Sequence, residues 1–320
     1  MAESDQLPLV SVGIPTYNRR ALLEHTLKSA LEQQYPRLEI IICDNASTDE
    51  TEKFCREWEA RDSRIRYIRH PNNLGSTGNF ISALEAADGE YFMWLADDDW
   101  IEPGYIEHCA KILAENPDCC LAGGKSDYYH DGVLVRTGED ILITREDPAD
   151  RVVEFCSKVM HNAVFYGLMR REILRKIPFL RTWGNDQILM TGVAYCGKII
   201  TQDGPRMGRR LGGISAKPSE VLADANMHKI WTSFACFLAY GQLIRQCRVI
   251  IWEFKIYRDR SFLSRCVLAA RVSVAQFRRT EISPIMAMIQ RARNVLLIRK
   301  RMEKLARHFK LHGDSDFRSR

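Results

Sequence analysis

The chain has 320 residues, 46% hydrophobic and 27% charged, with 19 Gly and 11 Pro. A composition this ordinary excludes a disulfide mini-protein, a collagen and a disordered tail, and the length allows one large domain with an appendage or two domains. The formal net charge of +5 hides an asymmetry: residues 1–240 hold 27 Lys and Arg against 35 Asp and Glu, a net of −8, whereas residues 241–320 hold 19 against 6, a net of +13. That split excludes a uniformly basic nucleic-acid binder and sets the last quarter apart.

From residue 9 to about 122, short β-branched runs alternate with amphipathic stretches. Residues 10–14 predict a strand, and Leu22, Leu23, Thr26, Leu27, Ala30 and Leu31 recur at helical spacing across residues 20–34. An apolar run at 39–43 follows, then a helix near 49–60 introduced by the capping-box spacing Ser47-x-x-Glu50. Residues 65–68 predict a third strand, 77–87 a third helix and 90–95 a fourth strand. Strand and helix in alternation predict an α/β fold with a mostly parallel, Rossmann-like sheet covered on both faces. Residues 123–145 read as strands and loops, 151–160 and 186–197 as helical, 203–220 as a glycine-rich loop, and the rest as basic helix.

The amino terminus MAESDQLPLV has no basic segment leading into an apolar core, so no secretory or transit signal is expected. No run supplies 18 apolar residues; the nearest, 230–244, soon meets Arg245 and Arg248. Ten cysteines show no CxxC pair and no metal-ligand spacing and are expected as reduced thiols, which points to a cytoplasmic location. The sequon Asn45-Ala46-Ser47 then reads as accidental.

In open parallel sheets ligands bind beyond the carboxyl ends of the strands. Three such ends carry unusual residues: Pro15-Thr16-Tyr17-Asn18, Asp44-Asn45 and Asp97-Asp98-Asp99. Neither G-x-G-x-x-G nor G-x-x-x-x-G-K-[ST] is present, which excludes a dinucleotide fingerprint and a P-loop. The Gly75–Asn79 segment reads as a turn into a helix. Three adjacent carboxylates repel and raise one another's pKa unless a cation removes the cost. Hard oxygen ligands suit Mg2+ or Mn2+ with phosphates and water completing the shell; a solvated acidic turn before a helix is the plainer reading. Asp44 reads either as a turn residue or as an acceptor for a nucleobase or ribose. Asp186, 87 residues beyond Asp99, reads either as a helix N-cap or as a general base.

VSVGIPTYNR, EIIICDNASTDET, NNLGSTGNF and ADGEYFMWLADDDWIEPGYIE, in this order, resemble the nucleotide-binding half of glycosyltransferase family 2, inverting enzymes of the GT-A fold. FYGLMRR at 165–171 and WGNDQILMTGVAYCGKI at 183–199 resemble its acceptor half, so the likeness runs from residue 8 to about 215. It implies a catalytic domain over 1–220, its halves meeting near 122, and a basic helical extension over 221–320. It further implies transfer of a sugar from a UDP-, GDP- or dTDP-linked donor to a hydroxyl of a saccharide or lipid-linked saccharide, with inversion, in cell-envelope assembly. Pro15 and Tyr17 would line the base pocket and Asp44 would bond the base, with Asn18 and Asn79 completing the donor set. Asp97, Asp98 and Asp99 would hold ribose and the metal-bound diphosphate, and Asp186 would be the catalytic base. Many relatives carry Asp-x-Asp-Asp, and aligning on Trp100 puts Ala96 in the first position, so all three aspartates stand as metal candidates.

His161 and His228 are secondary metal candidates, and Arg206, Arg209 and Arg210 suggest either a basic loop that closes on diphosphate or an exposed one. A nucleotidyltransferase would carry a glycine-rich basic loop after the first strand, unlike Pro15-Thr16-Tyr17-Asn18-Arg19; the remaining alternative is a non-catalytic sugar-nucleotide-binding module. The acidic main body and the lack of a zinc or RNA-binding signature argue against nucleic acid. Residues 283–310 place apolar residues at near-helical spacing among Arg and Lys, which suits either an anionic membrane surface reached through residues 241–320, at the inner face of the membrane, or a packed helix with a basic outer face.

Overall fold

A computed structural model describes residues 7–159, 162–182, 184–211 and 235–276. The chain divides into two units, Met1–Ser273 and Val274–Arg320, and the first carries everything below. His161, His228, the stretch 212–234 and the amphipathic segment 283–310 lie outside the described residues.

The expected alternation is present: β1 (Val10–Thr16), α1 (Arg20–Leu31), β2 (Leu38–Asp44), α2 (Thr51–Glu59), β3 (Ile65–Arg69), α3 (Gly75–Glu85) and β4 (Tyr91–Trp94). There follow β5 (Trp100–Ile101), α4 (Tyr105–Glu115), β6 (Cys119–Gly123), β7 (Ser126–His130), β8 (Val133–Thr137), β9 (Ile141–Ile143) and α5 (Pro148–Lys158). A 3-10 turn, Asn162–Tyr166, leads into β10 (Leu168–Arg170), α6 (Arg171–Lys176), α7 (Asn185–Cys196), β11 (Lys198–Thr201), β12 (Met207–Arg210) and α8 (Ala235–Arg248). An eight-stranded sheet runs β3-β2-β1-β4-β10-β6-β11-β9, and a four-stranded sheet runs β5-β12-β7-β8. The four leading strands are parallel and β10 is antiparallel between β4 and β6.

Every residue of β1 and β4 is buried, the mark of strands covered on both faces, which is why they read as continuous apolar runs rather than alternating ones. Helix α3 lies so close to β1 that a Cβ on Gly13 would meet the Phe92 ring at 2.9 Å and the Ala83 Cβ at 3.0 Å. Register pairs Thr16 with Asp44 and Gly13 with Trp94. The chain three residues past Trp94 therefore arrives beside Thr16, and the three unusual strand ends share one edge.

Two local expectations are corrected. The capping box at Ser47 does not form: Asp49 Oδ1 accepts from the Thr51 amide at 3.1 Å, while Ser47 Oγ accepts from the Asn18 amide at 2.8 Å. The glycine-rich loop expected over 203–220 contains strand β12, whose MGRR sequence has no apolar pattern of its own and is fixed by parallel pairing with β7 and antiparallel pairing with β5.

Candidate active site

Three carboxylates meet two arginines at the shared strand edge. Asp97 Oδ2 accepts from the Thr16 hydroxyl at 2.8 Å and its Oδ1 from Arg19 at 3.1 Å; the same Arg19 Nη1 reaches Asp98 Oδ2 at 2.8 Å. Asp99 Oδ2 accepts from Arg209 Nε at 3.0 Å and its Oδ1 from the Arg210 amide at 3.0 Å. Burial pushes the Asp97 carboxyl up to about 7 against the opposing pull of Arg19, with Asp98 adding to the rise. Burial pushes Asp99 up to about 6, opposed by Arg209. Desolvation works against the charge of Arg209, yet Asp99 outweighs it and raises the guanidinium above its ordinary value.

The expected mobile basic loop is thus corrected in substance as well as in shape. Arg209 is built into a strand, and its guanidinium lies over the Tyr166 ring at 4.4 Å from the centroid; Arg206 pairs with Asp127 at 3.0 Å. Tyr166 is placed by its neighbour Phe165, which stacks on Trp94 at 4.7 Å and 7° and pins the 3-10 turn to the end of β4. Burial raises the Tyr166 hydroxyl above its ordinary value, and Asp99, Asp98 and Asp186 all add to the rise.

Asp186 lies in the first turn of α7 and is not its N-cap; that position is Gly184, at φ 67. Two contacts anchor this turn. Asn185 Nδ2 donates to Thr77 Oγ1 at 3.0 Å, tying the start of α7 to that of α3. On the other side, a Cβ on Gly184 would stand 2.5 Å from the Gln242 side chain of α8, at a backbone angle that favours glycine. The Asp186 carboxylate is half-buried and holds the Gln187 amide at 2.7 Å.

The β1–β2 side is more structural than its residue types suggest. Asp44 is fully buried: Oδ1 accepts from the Ser47 amide at 2.9 Å and Oδ2 from the Tyr67 hydroxyl at 2.6 Å. As placed, it is the turn residue of its two readings. Asn79 Nδ2 donates to the Cys43 carbonyl at 2.9 Å and the Thr16 carbonyl at 3.2 Å, splinting the two strand ends where they part. Pro15 is buried in β1. Tyr17 is 39% exposed at the edge, and Asn18 turns the chain at φ 53 while its Oδ1 accepts from the Thr48 amide at 2.7 Å. Sequence reasoning missed Arg19, Thr16 and Tyr166 as members of the cluster; a cation directly after a strand end, in Tyr17-Asn18-Arg19-Arg20, was the signal for the first.

Among the described residues no three His, Cys, Asp or Glu side chains form a ready metal cage. The carboxylates nevertheless differ in what they have free. Both oxygens of Asp97 and of Asp99 are engaged, whereas Asp98 is held only through Oδ2 and its Oδ1 has no partner among the described residues. One free carboxylate oxygen fits Mg2+ or Mn2+, which take one or two protein carboxylates and complete their shell with phosphate and water.

A mostly parallel sheet of this order with an acidic cluster at its strand edge is a GT-A glycosyltransferase fold. The Glycosyl transferase family 2 model matches residues 11–178, and the chain belongs to that family and is a glycosyltransferase. It is 31% identical over 180 residues to the putative teichuronic acid biosynthesis glycosyltransferase TuaG of Bacillus subtilis, covering 55% of this chain and 71% of TuaG. It is 38% identical over 101 residues to the GalNAc(5)-diNAcBac-PP-undecaprenol beta-1,3-glucosyltransferase of Campylobacter jejuni, covering 31% of this chain and 33% of that one, so it spans only a third of that relative. The crystal structure of S. aureus TarS 1–349 superposes with a TM-score of 0.59 at 17% identity, covering 84% of this chain and 72% of that one.

Proposed function

We propose that the protein transfers a sugar from a nucleotide-diphosphate donor to a hydroxyl of a saccharide or lipid-linked saccharide, with inversion, in the assembly of a cell-envelope polysaccharide or glycolipid. The observation that carries this reading is that Asp186 opens a helix whose first turn is tied by Asn185 to Thr77 of α3, the helix whose Asn79 bonds the Thr16 carbonyl beside Asp97. In an inverting displacement the attacking hydroxyl and the leaving diphosphate lie on opposite sides of the anomeric carbon. One carboxylate serves each side.

Asp186 takes the proton of the acceptor hydroxyl as it attacks, a role that contributes about 10²–10⁴-fold in rate. Asp98, with an oxygen free, would hold the divalent cation, with Asp97 and Asp99 shaping the site from either side. When bound, Mg2+ or Mn2+ supplies Lewis-acid stabilisation of the departing diphosphate. Arg19 holds Asp97 and Asp98 in place before the donor arrives. Tyr17 and Asn18 border the base, while the covered Asp44 acts on it through the Ser47 turn and Tyr67, and Asn79 keeps the two strand ends in register. A UDP-sugar is the first donor to try, because a TarS structure similar to this one is a complex with UDP-GlcNAc.

The test is turnover across UDP-, GDP- and dTDP-sugars with Mn2+ or Mg2+, for wild type and Asp186→Asn. Metal-dependent turnover falling at least about 100-fold in the variant, with nucleotide binding retained, is expected. Unchanged turnover in Asp186→Asn would remove it as the base, and nucleotidyl transfer in place of glycosyl transfer would overturn the reaction class.

A further inference from the structure

The segment after α8 has an ordinary inner side and an unusual outer one. Val249, Ile250, Phe254 and Tyr257 are buried, with Tyr257 edge-on to Tyr195 of α7 at 4.6 Å between centroids. Facing outward, Trp252 is 58% exposed, Phe262 55%, Leu263 74% and Val267 51%. The Trp252 and Phe262 rings are neighbours at 6.4 Å. Leu263 and Val267 stand one turn apart in the helical stretch 262–276. Adjoining exposed apolar side chains of this size mark an interaction surface rather than scattered surface residues.

Cations border them. The Arg265 guanidinium sits 5.9 Å from the Phe262 ring centroid. Lys255 and Arg258, in the connection from Trp252 to Phe262, are exposed and have no ion-pair partner among the described residues. The acids close by are already engaged: Glu253 with Arg245 at 3.1 Å and Arg248 at 2.7 Å, and Asp259 with the Tyr195 hydroxyl at 2.6 Å.

We propose that this face docks on an anionic bilayer, seating Trp252, Phe262, Leu263 and Val267 at the headgroup level while Lys255 and Arg258 meet lipid phosphates. Charge complementarity selects this occupant, since free cations beside an indole match the wet, negative boundary of a membrane, where Trp concentrates. The net +13 of residues 241–320 points the same way. Among the described residues no helix is long and apolar enough to cross a membrane, so contact is at the surface. The surface includes none of the site carboxylates and does not rest on the donor chemistry.

Full-length protein is mixed at low salt with phosphatidylcholine vesicles, with and without phosphatidylglycerol. Association with the anionic vesicles is expected, weakened at least about tenfold, one decade in affinity, by Trp252→Ser with Phe262→Ser. Quenching of protein fluorescence by brominated lipid is expected to drop in Trp252→Phe. Lys255→Gln with Arg258→Gln keeps every apolar side chain and is expected to reduce the preference for anionic over neutral vesicles, which leaves the proposal testable even where the first pair fails to fold. Vesicle binding equal to wild type in both pairs, or quenching unchanged in Trp252→Phe, would overturn it. So would self-association that the first pair abolishes without any vesicle binding, which would give the face to a second copy of the chain.

Discussion

Asp99 and Arg209 are 110 residues apart in the chain and 3.0 Å apart in the fold, one immediately before β5 and the other on β12, its antiparallel neighbour in the smaller sheet. The pair fixes the end of the acidic run against the smaller sheet, where the run needs a fixed shape. Both partners are almost fully covered, with side-chain exposures of 14% and 1%. Removing one of them strands the other's charge out of water. Arg209→Met is therefore expected to cost about 3–5 kcal/mol, and Arg209→Met with Asp99→Asn to recover part of it. Urea unfolding of the two variants measures both.

Asp98 differs from its neighbours in keeping one oxygen free. Asp98→Asn is expected to raise the Mn2+ concentration needed for half-maximal turnover by more than the roughly 10–100-fold that loss of an outer partner of a metal ligand costs. Asp97→Asn, whose native oxygens are already taken by Thr16 and Arg19, is expected to shift it less. Metal titrations at saturating donor compare the two, and equal shifts would take the special role from Asp98.

Tyr67 gives its hydroxyl to Asp44 at 2.6 Å inside the turn that ends β2. Tyr67→Phe leaves a buried carboxylate oxygen without that donor, at an expected cost of about 1–3 kcal/mol. Thermal unfolding reads the loss of stability. Isothermal titration with nucleotide is expected to show weaker binding in the same variant, because the Asn45–Ser47 turn loosens with it.

Asp147 caps α5, accepting from the Ala149 amide at 2.8 Å and the Asp150 amide at 3.0 Å, ahead of Pro148 at the first helical position. It also pairs with Arg260 at 2.8 Å. The Arg260 bond holds its carboxyl below the usual value, with the two amides assisting. A carboxyl lowered on folding stabilises above its unfolded pKa, about 3.9, and loses that contribution as pH falls through the lower folded value. Asp147→Ala is expected to cost about 1 kcal/mol at neutral pH. The difference from wild type shrinks below about pH 4, as urea midpoints at both pH values record.

The parallel half of the fold was legible because buried strands write long apolar runs into the sequence, and β1, β2 and β4 are such strands. The acidic run stood out because like charges side by side at a strand end are costly, whereas an acid at a helix start is favourable in itself, so Asp186 kept the N-cap as its alternative until the fold put Gly184 there. Strand β12 was not, since Met207–Arg210 owes its conformation to partners at residues 100–101 and 126–129 rather than to its own residues. Nor was the division of labour among polar side chains at the edge. Asp44 and Asn79 look like ligand-binding residues by type, and only the positions of Tyr67, Cys43 and Thr16 reveal them as braces. Arg19 was hidden for the same reason: its two carboxylate partners lie 78 and 79 residues away.

Gln242 closes against Gly184, and Gln246, one turn on, donates to Thr191 Oγ1 at 3.0 Å within α7. Helix α8 therefore grips the first and middle turns of the helix that carries Asp186, and its own end at Arg248 runs straight into the turn bearing Trp252. The aim of a single carboxylate is set by a helix that follows it by some fifty residues. A chain cut before α8 would keep every carboxylate of the site and lose the brace at the start of the helix that carries one of them.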